Sequence, residues 1–241
     1  MNEINIIENF IGKDTCDFIN NSLSDKLNPT PNKFILGGPC GWIGEHRYTH
    51  SISNSNKNSM VWPNKIEGYQ NDINYNITID MLSLIFNGMV KLVSEHYQEE
   101  YVMRSFFCGA MLPGAKNTLH MDNHYINSDT NTITERTNSH WDKSGILYLN
   151  DEYTGGNIYF PLQDLKLKPN PGTFIFFEGN SKVPHEVEEV QSGIRKNIIT
   201  FFIKKDKAHM IMGWENADSG NDGPETQLTM EHLNQLNKNL L

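Results

Sequence analysis

Lys168-Pro169-Asn170-Pro171-Gly172-Thr173-Phe174-Ile175-Phe176-Phe177 is the stretch on which the fold turns. A Pro/Asn/Gly turn cluster feeds directly into a short apolar run, rich in aromatics and closed soon after by Gly179-Asn180, and this reads as a strand. The same signature recurs along the second half of the chain. Short β-rich runs fall at residues 103–112, 118–121, 144–150, 157–160, 173–178, 184–190 and 196–203, with turn residues between them. Runs of this length, following helices rather than alternating with them, predict a mainly β fold. Its core is two facing sheets in a jelly roll, with supporting helices on one side.

The first hundred residues read differently. A short strand pattern opens near Ile6. Asp14 is placed to cap a helix carrying Cys16, Phe18, Ile19 and Leu23 at helical spacing. Asp80 is placed to cap a second helix, with Met81, Leu84, Ile85, Val90, Leu92 and Val93 as one apolar stripe packed on a sheet. Between them, residues 37–69 are rich in Gly, Ser, Asn and Pro and carry Trp42 and Trp62. That is too long for an ordinary connection, so the stretch is either disordered or a functional flap, and it is read here as a substrate lid. At the other end, residues 215–224 form a Gly/Asp/Asn linker. Leu228, Leu233, Leu236 and Leu240 then predict an amphipathic helix starting near Pro224. The expected organisation is an N-terminal support region over 1–100, a catalytic core over 101–205, and a linker with a terminal helix over 206–241.

Composition narrows the classes of function. A formal charge of −9 argues against a surface for nucleic acid. Cys16, Cys40 and Cys108 are odd in number and lack C-x-x-C spacing, which fits a reducing compartment better than a disulfide framework or zinc knuckle. The first residues show no basic-then-apolar leader pattern, and no stretch has the apolar length of a membrane span. The expectation is a cytoplasmic protein without a membrane partner.

The chemistry is concentrated in His120-Met121-Asp122, His185 and Arg195. A mononuclear non-haem Fe(II) centre needs two imidazoles and one carboxylate on one face of the metal, with the other positions open. Residues i and i+2 of a strand point the same way, so His120 and Asp122 can share an ion, with His185 arriving from a distant strand. His124 competes for the third position, but Asn123 favours a turn that swings it away. His46, His50 and His140 lie in polar or loop-like stretches and are read as solvated or substrate-side. Arg195 is one of four arginines against sixteen lysines, and it opens the apolar run 198–203. A guanidinium is the fixed, forked cation that a buried carboxylate requires.

Taken with Thr154-Gly155-Gly156-Asn157-Ile158-Tyr159-Phe160-Pro161 and Pro184-His185-Glu186-Val187, these motifs resemble the prolyl 4-hydroxylase-like branch of the Fe(II)/2-oxoglutarate dioxygenases over residues 102–203. The resemblance implies a double-stranded β-helix core, with His120, Asp122 and His185 as iron ligands. Arg195 would be the partner of the far carboxylate of 2-oxoglutarate, and Tyr148 a hydrogen-bonding neighbour of the same group. It also implies O2 as cosubstrate, ascorbate as reductant, and hydroxylation of a prolyl residue in a peptide or protein with release of succinate and CO2. Two features depart from the pattern: arginine stands where collagen-type relatives carry lysine, and Leu112 stands where many have a tyrosine that touches the cosubstrate. The polar segment 127–142 is expected to be a loop near the metal end. Competing readings are the same chemistry on a free amino acid, a nucleobase dioxygenase, and a non-catalytic metal-binding module of the same fold. Nucleobase dioxygenases typically carry paired arginines beyond the distal histidine, and no arginine follows Arg195 here.

Overall fold

The computed structural model describes residues 3–24, 42–43, 47–50, 73–136, 141–210 and 225–234. In chain order these form β1 (Ile4–Ile7), α1 (Lys13–Ser24), β2 (Trp42–Ile43), β3 (Arg47–His50), α2 (Ile73–Tyr97), β4 (Tyr101–Met111), β5 (Lys116–His120) and β6 (His124–Asn127). They continue through β7 (Thr132–Glu135), β8 (Lys143–Tyr148), β9 (Tyr153–Gly155), β10 (Ile158–Phe160), β11 (Leu165–Leu167) and β12 (Phe174–Glu178). The last are β13 (His185–Val187), β14 (Val190–Gly193), β15 (Arg195–Lys204) and β16 (Glu225–Thr226).

Two sheets dominate. One has six strands in the order β1-β12-β8-β15-β4-β3, the other five in the order β11-β10-β13-β5-β2. The run that decided the fold explains how they are covered. Phe174 and Phe176 point toward the helices and pack with Cys16, Ile19, Leu82, Phe86, Met89 and Val93. Ile175 and Phe177 point the other way, into a cluster with Ile146, Tyr148, Ile158, Phe160 and Val183 between the sheets. With alternate residues buried on opposite faces, β12 has no solvent side and reads as a continuous apolar run. Each such phenylalanine contributes about 1.5–3 kcal/mol by leaving water. The mainly β jelly roll with helices on one side is therefore the architecture of this chain. No described helix is long and apolar enough to cross a membrane.

Several local expectations need correction. The first helix begins at Lys13, two residues earlier than a cap at Asp14 would place it. Gly12 O accepts from both Thr15 N and Cys16 N at 3.1 Å, so Gly12 is the cap and Asp14 sits in the first turn, where its charge suits the helix dipole. α2 begins at Ile73, which places Asp80 inside it rather than at its cap. Its buried face is Leu82, Ile85, Phe86, Met89 and Val93, while Leu84 is 74% exposed. The true stripe follows i, i+3, i+4, i+7 and i+11, a phase the abundance of apolar residues on this helix concealed. The run 184–190 splits into β13 and β14 at Glu188-Glu189.

The polar segment expected as a loop holds a hairpin, β6–β7. Asn127 Oδ1 accepts from Asp129 N at 2.9 Å and Thr130 N at 3.2 Å, folding the turn back on itself. At the C-terminus, Glu225–Thr226 pairs with β6, and the helix starts at residue 230 instead of near Pro224. Thr229 Oγ1 accepts from His232 N at 3.4 Å as its cap. Leu228 and Leu233 pack on Leu119, Met121 and Ile126, while Leu236 and Leu240 lie outside the described residues. The lid expected at 37–69 also lies outside them, apart from β2 and β3, whose backbones pair with β5 and β4. His46 and His140 fall in the same undescribed stretches.

Candidate active site

His120 and His185 face each other across the β5–β13 ladder as direct register partners, which brings two distant parts of the chain to one point. β5 ends at His120, so Asp122 is not on the strand as the spacing suggested. It stands in a bend pinned by its neighbour: Asn123 N donates to Gly179 O at 2.8 Å, and Asn123 Nδ2 donates to Trp141 O at 3.0 Å. The bend keeps Asp122 on the histidine side. Asp122 Oδ1 lies 3.5 Å from His120 Nε2, and Oδ2 lies 3.9 Å from His185 Nε2. One ligand atom from each residue falls within 4.8 Å of the others, as a single ion would require. His124 is turned away, its Nδ1 bonded to Asn123 Oδ1 at 2.5 Å, as the turn at Asn123 predicted.

Second contacts fix the donors. His120 Nδ1 is 2.7 Å from Thr118 O, and His185 Nδ1 is 3.2 Å from Val183 O. A carbonyl only accepts, so each Nδ1 carries the proton and each Nε2 keeps its lone pair for a metal. Ser144 Oγ donates to Asp122 Oδ2, orienting the carboxylate. Burial, and then the nearby His120, push the His185 imidazole down to about 4. Burial would raise the Asp122 carboxyl, but His185, His120 and Ser144 together outweigh it and hold it at about 2. Near neutral pH the cluster is thus one carboxylate with neutral His185, the donor state that binds a divalent cation. Asn117 was not foreseen. Its Nδ2 lies 3.3 Å from His120 Nε2, and its Oδ1 is buried without a partner.

Arg195 occupies the start of β15 and is 1% exposed. Its Nη2 donates to Tyr148 Oη at 3.0 Å, its Nη1 reaches Met111 Sδ at 3.3 Å, and its Nε has no partner. Among the described residues no carboxylate pairs with it. An enclosed guanidinium without an anion is costly, so this end of the interior has the shape of a receptor for one. A second phenol, not anticipated, stands here. Tyr153 is buried, its Oη lacks a hydrogen-bond partner, and the Arg195 charge partly offsets the burial that pushes it up to about 12. Burial likewise raises Tyr148 against the pull of Arg195, so both phenols keep their protons. The sequence signal was Gly155-Gly156. Gly156 has φ +64°, and a Cβ there would meet Arg195 Cδ at 3.1 Å and the Tyr153 ring at 3.3 Å. Tyr148 shares the inter-sheet cluster with Phe160, whose ring lies 5.7 Å from that of His185, so both ends belong to one interior.

The donor set fits Fe(II), and the unanswered cation fits a dicarboxylate such as 2-oxoglutarate. Comparisons with known proteins agree. Residues 107–204 match the 2OG-Fe(II) oxygenase superfamily. The chain is 33% identical to human (Homo sapiens) prolyl 3-hydroxylase 1 over 91 residues, covering 35% of this chain and 12% of that protein. To human prolyl 3-hydroxylase 2 it is 28% identical over 109 residues, covering 39% and 15%. It therefore spans only about an eighth of the length of these relatives. Among solved structures, a Trichoplax adhaerens prolyl hydroxylase in complex with a hypoxia inducible factor peptide fragment superposes with TM-score 0.61 at 14% identity, covering 87% of each chain. A viral collagen prolyl hydroxylase from Paramecium Bursaria Chlorella virus-1 gives 0.54 at 17%, covering 83% of this chain and 96% of that one. At such identities the likeness is one of fold. Residues 107–204 thus match the 2OG-Fe(II) oxygenase superfamily, part of the chain is similar in sequence to prolyl 3-hydroxylases, and its fold is like that of solved prolyl hydroxylases.

Proposed function

We propose that this protein is an Fe(II)- and 2-oxoglutarate-dependent dioxygenase that hydroxylates an unactivated C–H bond of a prolyl residue in a peptide or protein. His120, Asp122 and His185 hold the iron. Arg195 and Tyr148, joined by Tyr153, hold the far carboxylate of 2-oxoglutarate. When bound, the iron and cosubstrate supply O2 activation, yielding succinate, CO2 and an alcohol. The chain's own share is placement. Thr118 and Val183 set the histidine tautomers, Ser144 aims the carboxylate, and Phe160 and Phe177 wall the His185 ring from water. The observation that carries the reading is a buried arginine that no described acid pairs, in the same interior as a His-Asp-His cluster. Residues 101–205 are the catalytic core in this reading, with support from 1–100, a lid over 37–69, and a C-terminal cover from 206–241. Ascorbate as reductant and a cytoplasmic location belong to the same proposal.

The substrate rests on the prolyl-hydroxylase relatives. Succinate formation against a panel of proline-containing peptides and free amino acids, with product masses, tests it. One peptide gaining a single oxygen per succinate is the expected result. Turnover of free amino acids alone would overturn the peptide assignment, and no succinate with any partner would overturn the chemistry.

A further inference from the structure

Arg104, on β4, is a half-buried cation that forms no ion pair among the described residues. Its Cζ lies 5.1 Å from the centre of the Trp141 ring, and Trp141 stacks on Phe201 with centroids 4.6 Å apart and planes at 30°. Burial is the cause that lowers the Arg104 pKa, and no charge among the described residues balances it. Two donors of this cluster, Arg104 Nε and Trp141 Nε1, are buried without a hydrogen-bond partner. Cations and N–H groups withdrawn from water are ordinarily satisfied. Two unsatisfied donors around one aromatic pair ask for an acceptor that no described residue supplies.

The cluster adjoins the metal end rather than the Arg195 end. Phe201 is the register partner of Ser144 and shares its face of the sheet, and Ser144 holds Asp122. A Cβ built on Gly179 would lie 3.4 Å from Ser144 Oγ and 3.5 Å from Trp141 Cδ1, so a single glycine spaces the indole from the residue that aims the metal carboxylate. Asn123, next to Asp122, grips the Trp141 carbonyl. Arg195 lies six positions before Phe201 on β15, at the far end of the strand.

We propose that Arg104, Trp141 and Phe201 form a substrate subsite that binds a carboxylate on the molecule being oxidised. The guanidinium and indole N–H hold the acid, and the stacked rings cover an apolar ring or chain beside it. The subsite rests on the dioxygenase reading above and adds to it a demand on the substrate. The carboxylate comes either from an acidic side chain flanking the target residue in a peptide or from the α-carboxylate of a free amino acid.

The test is calorimetric binding to the Mn(II)-loaded protein with 2-oxoglutarate present, so that no turnover occurs. Two acid/amide pairs are compared: end-blocked peptides containing Glu-Pro or Gln-Pro, and free proline against prolinamide. At least one acid should bind about tenfold more tightly than its amide, as expected for a charge-assisted hydrogen bond. The pair that shows the preference identifies the source of the carboxylate. Arg104→Gln should bring that ratio close to one, and Arg104→Lys should retain part of it. Equal binding of acid and amide in both pairs overturns the subsite, as does an unchanged ratio in a folded Arg104→Gln protein. The wild-type comparison decides even if a variant does not fold. Binding of 2-oxoglutarate to the wild-type protein is measured in parallel. Its absence counts against the dioxygenase reading, whereas its presence with indifferent acid binding counts against the carboxylate subsite alone.

Discussion

The two ends of the inter-sheet interior solve opposite electrostatic problems. At the metal end an anion and two imidazoles sit together, and Asp122 is stabilised by the residues around it. At the other end Arg195 is enclosed with two phenols and a thioether, and no described residue supplies the anion. One end is ready for a cation and the other for a carboxylate. Their common interior therefore fits a ligand with a metal-binding head and an acidic tail, and that pairing carries more weight than either end alone.

The largest expected effects separate the ends outright. His120→Ala, Asp122→Ala or His185→Ala should each abolish metal binding and 2-oxoglutarate turnover while the apo-protein still melts cooperatively. Near-native iron affinity in His185→Ala, with loss in His124→Ala, would show that the third ligand was misassigned. Arg195→Ala comes next. Removing the buried partner of the cosubstrate carboxylate should cost about 3–5 kcal/mol. The KM for 2-oxoglutarate should therefore rise at least about a hundredfold, with metal affinity measured by calorimetry largely retained. An unchanged KM would remove Arg195 from the site.

Acid should act on one end only. His185 is depressed from its ordinary 6.5 to about 4, and Asp122 from 3.8 to about 2. Between pH 6.5 and 4 the unfolded chain takes up a proton at His185 that the folded chain refuses. The apo-protein should lose stability there by up to about 1.4 kcal/mol per pH unit. Below 3.8 the depressed Asp122 continues the loss in the same direction. At the anchor end the two phenols, raised by burial, keep their protons throughout this range. Denaturant melts of wild type and His185→Gln across pH 7 to 4 should converge as pH falls, and parallel curves would contradict the assignment. The smallest effects belong to the phenols. Tyr148→Phe and Tyr153→Phe should each weaken 2-oxoglutarate binding by about 1 kcal/mol, one neutral hydrogen bond apiece.

How much of this was legible in the sequence depended on whether a residue acts through spacing or through packing. His120, Asp122, His185 and Arg195 are separated by motif distances, and the fold brings them to one interior as expected. The strand runs were readable because turn residues bracket them. Tyr153 was missed because an aromatic in a strand looks like core until its hydroxyl is found unpaired beside a guanidinium. Asp122 was expected on a strand because i, i+2 spacing suits one, whereas tertiary hydrogen bonds through Asn123 hold it in a bend that serves as well. The phase of α2 was misjudged because apolar residues occupy more than one face. The hairpin at 124–135 was hidden because polar Thr and Asn residues pair there through their backbones, which no hydrophobic pattern reports.

Both ends act on one ligand in this reading. That is tested most directly by adding 2-oxoglutarate to the Fe(II) protein under anaerobic conditions and recording the visible spectrum. A weak charge-transfer band should appear on titration and be absent in Asp122→Ala. In Arg195→Ala it should require about a hundredfold more 2-oxoglutarate, since the lost ion pair is worth several kcal/mol. No band in the wild-type protein at saturating cosubstrate, or a band in Arg195→Ala at the wild-type concentration, would contradict the account.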